Sequence, residues 1–198
     1  LRFHITPWAS FIPVTAKQYN GYLGISTHHW PIHKTNNLRQ TPYDCGAYNL
    51  HWIISTPTDL QDLVKMNRSK MIPRIGVVPE TLQSTLKSQG IKSHIRTFRW
   101  LEDGAKISFL TDILNANHPI ILLVRRHGYM HYITITGFDR NGFDIYDPLL
   151  PKADKNTTID KNGATPGNDY LTNKELLDLW NEINVWGFYK NTALIIHN

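Results

Sequence analysis

Gln40-Thr41-Pro42-Tyr43-Asp44-Cys45-Gly46-Ala47-Tyr48-Asn49-Leu50 holds the only cysteine among 198 residues, and the chain changes character there. Pro42 and Asp44 favour a turn and a helix start, while Ala47, Leu50, Ile53 and Ile54 follow at helical spacing. Cys45 is therefore placed at the first turn of a helix that runs to about Ser55, where Pro57 stops it. A helix N-terminus offers free N–H groups and the positive end of the dipole, which favour thiolate over thiol. The competing assignment is a small buried hydrophobe, a common role for an unpaired cysteine.

Downstream, Thr58-Asp59-Leu60-Gln61 has the form of a capping box and predicts a second helix, with Leu60, Leu63 and Val64 on one face. Pro79 opens a third helix, Leu82 and Leu86 lie one turn apart on it, and Gly90 closes it. Ile91 to Phe98 alternates loosely as a strand, and Ser108 is placed as the cap of a fourth helix carrying Phe109, Leu110, Ile113 and Leu114.

From Pro119 the period changes. Ile120 to Val124 predicts a buried strand, Arg125-Arg126-His127-Gly128 a turn, and Tyr132 to Thr136 a second strand. Asp139-Arg140-Asn141-Gly142 is a turn signal, and Phe143 to Tyr146 is the returning strand. Residues 148–170 are poor in apolar side chains and predict a long surface loop. Thr172-Asn173-Lys174-Glu175 is a capping box before a last helix with Leu176, Leu177 and Trp180, and Thr192 to Ile196 a closing strand. Helices followed by an antiparallel sheet give an α+β domain. Its expected extent is 1–198: an N-terminal extension or lobe over 1–39, a core over 40–150, then a loop, helix and strand. Val14-Thr15-Ala16 and Tyr22-Leu23-Gly24-Ile25 are candidate short strands in the first part.

The totals exclude several classes. Hydrophobic residues at 41% suffice for a packed core and argue against disorder. One cysteine excludes a disulfide framework and a Cys-rich zinc site. The longest apolar run, Pro119 to Val124, is far short of a membrane span, so a soluble chain is expected. The net charge of +5 is concentrated early: residues 1–75 carry eight Lys and Arg against three Asp and Glu. These charges are scattered rather than clustered, which argues against a nucleic-acid partner. His28, His29 and His33 have no neighbouring Cys, Asp or Glu to complete a coordination set, so neither metal nor cofactor is expected.

A cysteine nucleophile needs a base, and the base needs a group to orient it. His131 stands just before one strand and Asp147 just after the next, so folding the hairpin between them brings both to one end of the sheet. Their midpoint is Asp139, whereas the turn centres between Arg140 and Asn141; a stagger of about three residues, or roughly 10 Å at about 3.4 Å per residue, is left over. A twist, a bulge or a looser turn has to absorb it. His127 is an alternative base four residues earlier, and His127 with His131 an alternative metal pair. The Cys45 backbone N–H is one candidate oxyanion donor and the Gln40 side-chain amide a second.

The order Gln40, Asp44-Cys45-Gly46, His131-Tyr132, Asp147-Pro148 resembles the papain-like cysteine peptidases, and within them the bacteriocin-processing, or double-glycine, group. The resemblance spans roughly residues 40–150 and includes Val78-Pro79-Glu80-Thr81-Leu82, Gly90-Ile91, His118-Pro119-Ile120-Ile121 and His131 through Phe138. It implies Cys45 as nucleophile, His131 as general base and then acid, Asp147 as orienting group and Gln40 as oxyanion donor, acting on a peptide or protein. It also implies a bacterial source, with secretion or delivery into another cell as the matching locations. Two features depart from the family pattern: four residues separate Gln40 from Cys45 where five are common, and Tyr48-Asn49 fills helix positions that usually hold small residues. Papain-fold deamidases, transglutaminases and acyltransferases use the same thioester. A catalytically silent domain binding through Trp8, Tyr19, Tyr22 and Trp30 is the alternative outside enzymology.

Overall fold

The computed structural model describes residues 28–29, 43–54, 59–72, 76–126, 128–149, 169–183 and 188–197. The candidate strands at 14–16 and 22–25, and also His33, Gln40 and His127, lie outside the described residues. His28–His29 form a short strand β1. Three helices follow, α1 (Cys45–Ile53), α2 (Leu60–Arg68) and α3 (Pro79–Ser88). Then come β2 (Lys92–Thr97), α4 (Asp103–Asn115), β3 (Ile120–Arg126), β4 (Tyr129–Phe138), β5 (Gly142–Tyr146), β6 (Asp169–Thr172), α5 (Asn173–Asn181) and β7 (Thr192–His197).

The helix ends follow from local chemistry. Asp59 caps α2: its carboxylate accepts from the Gln61 N–H at 2.8 Å, while Thr58 lies outside the described residues. Gly90, at φ +76, ends the α3 segment, and the Ile91 N–H then donates back to the Leu86 carbonyl at 3.0 Å. The capping box of α5 forms as expected, with Thr172 and Glu175 bonding each other's backbone N–H groups.

The helix expected from Ser108 instead begins at Asp103, so Ser108 lies inside it. Polar Asp103-Gly104 hides the first turn in sequence, but Lys106, four positions from the Glu102 cap, donates to Asp103 and to Asn181 of α5 at 2.9 and 2.8 Å. The expected loop over 148–170 likewise ends early, because Asp169 and Tyr170 pair with β5 as part of β6. Two strands are longer than their apolar runs: β3 continues through Arg126 and β4 begins at Tyr129, which puts His131 inside the strand.

All strand pairs are antiparallel, in the order β2-β7-β3-β4-β5-β6, with β1 adding to β4 at Gly137 and Phe138. Side chains alternate between the two faces of a strand, so the sheet has two cores. One face places Ile121, Leu123, Tyr132, Leu194 and Ile196 under α1, α2 and α3 with Leu50, Leu63, Leu82 and Leu86. The other places Ile120, Leu122, Ile133, Ile135 and Ile195 against Leu110 and Leu114 of α4 and Leu176 and Trp180 of α5. Trp180 is fully buried and its indole N–H donates to the Thr192 carbonyl at 3.1 Å, fixing α5 to β7. The result is α+β, a cysteine-bearing helix packed on an antiparallel sheet.

Candidate active site

Cys45 is the first residue of α1 and is partly buried. Gly46 lets that turn approach its neighbours: a Cβ there would lie 2.8 Å from Leu82 Cδ2 and 3.7 Å from Tyr132 Cδ2. The N-cap residue Asp44 makes no side-chain cap bond. Its carboxylate, 1% exposed, turns to α2 and accepts from Arg68 Nε at 2.9 Å and Nη2 at 2.6 Å. A bidentate guanidinium thus neutralises the acid nearest the cysteine and keeps it off the helix terminus.

The second half of the site comes from the β4–β5 hairpin. Near the turn, Phe138 pairs with Phe143 and Gly137 with Asp144, but further on Ile135 pairs with Ile145 and Thr134 with Tyr146. Thr136 is the extra residue of a β-bulge. The bulge removes one residue from the expected stagger, leaving two. Because the side-chain period is two, that step moves Asp147 onto the face of His131 as its diagonal neighbour, within reach of an imidazole. His131 Nε2 and Asp147 Oδ1 are 2.6 Å apart. The Leu149 N–H also donates to Asp147 Oδ1, at 2.8 Å.

Cys45 also lies close enough to His131 to favour the protonated ring. With Nε2 taken by Asp147, Nδ1 is the ring nitrogen left for a further partner. Burial acts to lower the His131 pKa, but Asp147, by hydrogen bond and charge, and the nearby Cys45 outweigh it and raise the value from 6.5 to about 9. Burial pushes the Asp147 carboxyl up, whereas the His131 hydrogen bond and the charges of His131 and Arg126 more than offset this and hold it below 3.8. His131 therefore contributes stability that is complete below about 6.5 and lost as pH rises through about 9. Asp147 contributes stability present above 3.8 and lost as pH falls through its lower folded value. Urea denaturation is expected to show a loss on the order of 3 kcal/mol between pH 6.5 and 9 in the wild type. In His131→Gln that slope should flatten; an equally steep slope would contradict the assignment.

Asn49 holds the two halves together. Fully buried one turn after Cys45, it donates from Nδ2 to the carbonyls of Cys45 and Tyr132, both at 2.8 Å, and its Oδ1 accepts from Thr134 Oγ1 at 2.6 Å. The helix bearing the cysteine is thus bonded to the strand one residue beyond His131. This is what the departure from small residues at Tyr48-Asn49 does. Asn49→Ala strands the buried Thr134 hydroxyl and removes the side-chain bonds to the Cys45 and Tyr132 carbonyls, and is expected to cost about 1–3 kcal/mol in urea denaturation; a cost below about 0.5 kcal/mol would contradict the role.

The structure therefore brings Cys45, His131 and Asp147 together, while Gln40 and the alternative base His127 fall outside the described residues. It adds two residues that the sequence reading assigned no part in the site, Asn49 and Arg126, the latter 3.0 Å from Asp147. A helical spacing from Cys45 into a buried face marks Asn49. Strand alternation back from His131 marks Arg126. Burial, together with nearby Cys45, pushes the Tyr132 phenol up, so it stays protonated and donates to the Val77 carbonyl at 2.9 Å. Among the described residues no three His, Cys, Asp or Glu are placed to hold a metal, and no helix is long and apolar enough to cross a membrane.

No family model matches the chain, and no curated protein matches it by sequence. Solved structures do match its fold. A double glycine motif protease from an AMS/PCAT transporter, in complex with the leader peptide, is 13% identical with a TM-score of 0.54 over 87% of this chain and 95% of its own. A structure described as a C39-like peptidase from Bacillus anthracis is 12% identical, TM-score 0.53, over 84% and 96%. The peptidase domain of Streptococcus ComA, a bi-functional ABC transporter of a quorum-sensing pathway, is 12% identical, TM-score 0.51, over 80% and 95%. The chain has the fold of the papain-like, C39-type peptidase domains, as the sequence resemblance implied.

Proposed function

We propose that this chain is a cysteine peptidase of the papain-like type, with Cys45 as nucleophile, His131 as general base and acid, and Asp147 as orienting carboxylate. The observation carrying this reading is the 2.6 Å bond between Asp147 Oδ1 and His131 Nε2, with Cys45 beside the ring at a helix N-terminus. Fold likeness to peptidase domains supports it. The core of the activity falls in residues 40–150.

The Cys45 thiolate attacks the peptide carbonyl carbon, and the developing oxyanion is met by the Cys45 N–H and, by resemblance, the Gln40 amide. The His131 imidazolium donates its Nδ1 proton to the leaving amine, and the C–N bond breaks to give a thioester. Neutral His131 then takes a proton from water, which attacks the thioester and releases the acid and the Cys45 thiolate. Asp147 remains ionised throughout, holding the ring and balancing its charge. The substrate class is a peptide or protein, in keeping with the leader peptide bound by one structural neighbour; cleavage after a glycine pair is not carried over.

Incubation with a mixture of unmodified peptides, read by mass spectrometry, is expected to give new amino termini that iodoacetamide pretreatment of Cys45 eliminates. Ammonia released from glutamine without new termini would replace hydrolysis by deamidation. Cleavage that survives complete alkylation of Cys45 would overturn the reading.

A further inference from the structure

Arg126 is the last residue of β3 and pairs with Tyr129 across a tight turn in which Gly128 takes φ +81. Its side chain is only 14% exposed and spans two carboxylates: Nη1 lies 3.0 Å from Asp147 Oδ2, and Nη2 lies 2.7 Å from Asp169 Oδ2. The Asp147 oxygens are thus divided. Oδ1 takes His131 Nε2 and the Leu149 N–H, while Oδ2 faces the guanidinium. The contact at Oδ2 is a charge pair without hydrogen-bond alignment. The Asp147 side chain is 0% exposed, and a carboxylate so placed stays ionised only with charge partners around it. Asp169 is the first residue of β6 and fixes the far side of the guanidinium by a well-formed bond.

We propose that Arg126 is a positioning residue, which keeps Asp147 ionised and aims its Oδ1 at His131, while Asp169 anchors the guanidinium. A role in turnover rests on the peptidase reading; the placement itself does not, and is testable without substrate. Removing a cation beside a carboxylate raises that carboxylate's pKa, so without Arg126 the Asp147–His131 pair breaks at higher pH on acidification.

The test is the hydrogen-bonded Nε2 proton of His131, followed by NMR as the pH is lowered. In Arg126→Met the midpoint for loss of that signal is expected to rise by about one pH unit or more. Arg126→Lys, whose single ammonium cannot span both carboxylates, should give a smaller rise. Arg126→Met combined with Asp169→Asn removes the acid that the missing guanidinium would strand, and should also move upward. With a peptide substrate, kcat in Arg126→Met should fall at least tenfold with KM changed less than threefold. Unchanged midpoints in the folded variants would overturn the proposal, whatever their effect on stability. A shifted midpoint in a protein that cleaves no peptide would leave the placement standing and remove the peptidase reading.

Discussion

Exchange of Cys45 for alanine is expected to reduce peptide cleavage to background, and His131→Ala to lower kcat/KM by about 10³-fold or more. The double variant should be no worse than Cys45→Ala alone, because residues that act as one unit lose their contribution together. Without the sulfur there is no thioester, and the Cys45 N–H can stabilise an oxyanion only if some other nucleophile creates one. Without the imidazole, the thiolate loses its counter-ion and the leaving amine its proton donor. A His131 pKa of about 9 makes the second loss severe, since at neutral pH the ring already carries the proton the amine will need. About 10³-fold corresponds to roughly 4 kcal/mol of transition-state stabilisation, ordinary for a positioned acid–base group. Steady-state kinetics on one cleaved peptide decides the matter. A His131→Ala variant retaining more than a tenth of wild-type kcat/KM would show that another base serves Cys45.

The largest effect on stability is expected at Gly142. It pairs with Thr172 in β6, and a Cβ added there would lie 2.2 Å from the Leu171 carbonyl oxygen and 2.8 Å from Thr172 Cα. Both obstacles are backbone, so no rotamer change relieves them. The neighbouring strand must move, and it carries Asp169 and leads into the α5 capping box. Gly142→Ala should therefore cost about 3 kcal/mol or more. At about 2–4 °C per kcal/mol for a chain of this size, Tm falls by roughly 6–12 °C. Gly104 in α4 is the matched control: nothing lies within 4 Å of its added Cβ, and Gly104→Ala should stabilise the helix by about 0.5–1 kcal/mol. Equal Tm values for the two variants would contradict the packing at Gly142.

What could be read from sequence was whatever local chemistry encodes. The break from turn to helical spacing placed Cys45 at the start of α1, and the turn at Asp139–Gly142 put His131 and Asp147 on paired strands. Pairing across distance was not legible. The Thr136 bulge depends on how β4 lies against β5, so the stagger came out one residue too large. Arg126 looked like part of a turn because two adjacent arginines end an apolar run, yet β3 continues through both. Asn49 stood out only as a departure from the small residues usual at its position, since nothing near it in sequence announces Thr134. β6 and the first turn of α4 were hidden by short polar stretches whose partners, β5 and Asn181, lie elsewhere in the chain.

The Asn49 bonds have a consequence for when the chain becomes chemically competent. His131 and Asp147 are separated by 16 positions and meet when one hairpin closes, whereas Asn49 reaches Tyr132 and Thr134 across 83 and 85 positions. Closing the longer loop costs roughly 1.5 kcal/mol more chain entropy, and it is repaid only when the helix layer docks on a sheet that already exists. His131 and Asp147 therefore come together as a local unit, while the Cys45 sulfur joins them through a longer closure. On the proposed function, Cys45 meets its imidazole only when the helix layer docks, so neighbouring unfolded chains are exposed to the paired sulfur only after that closure.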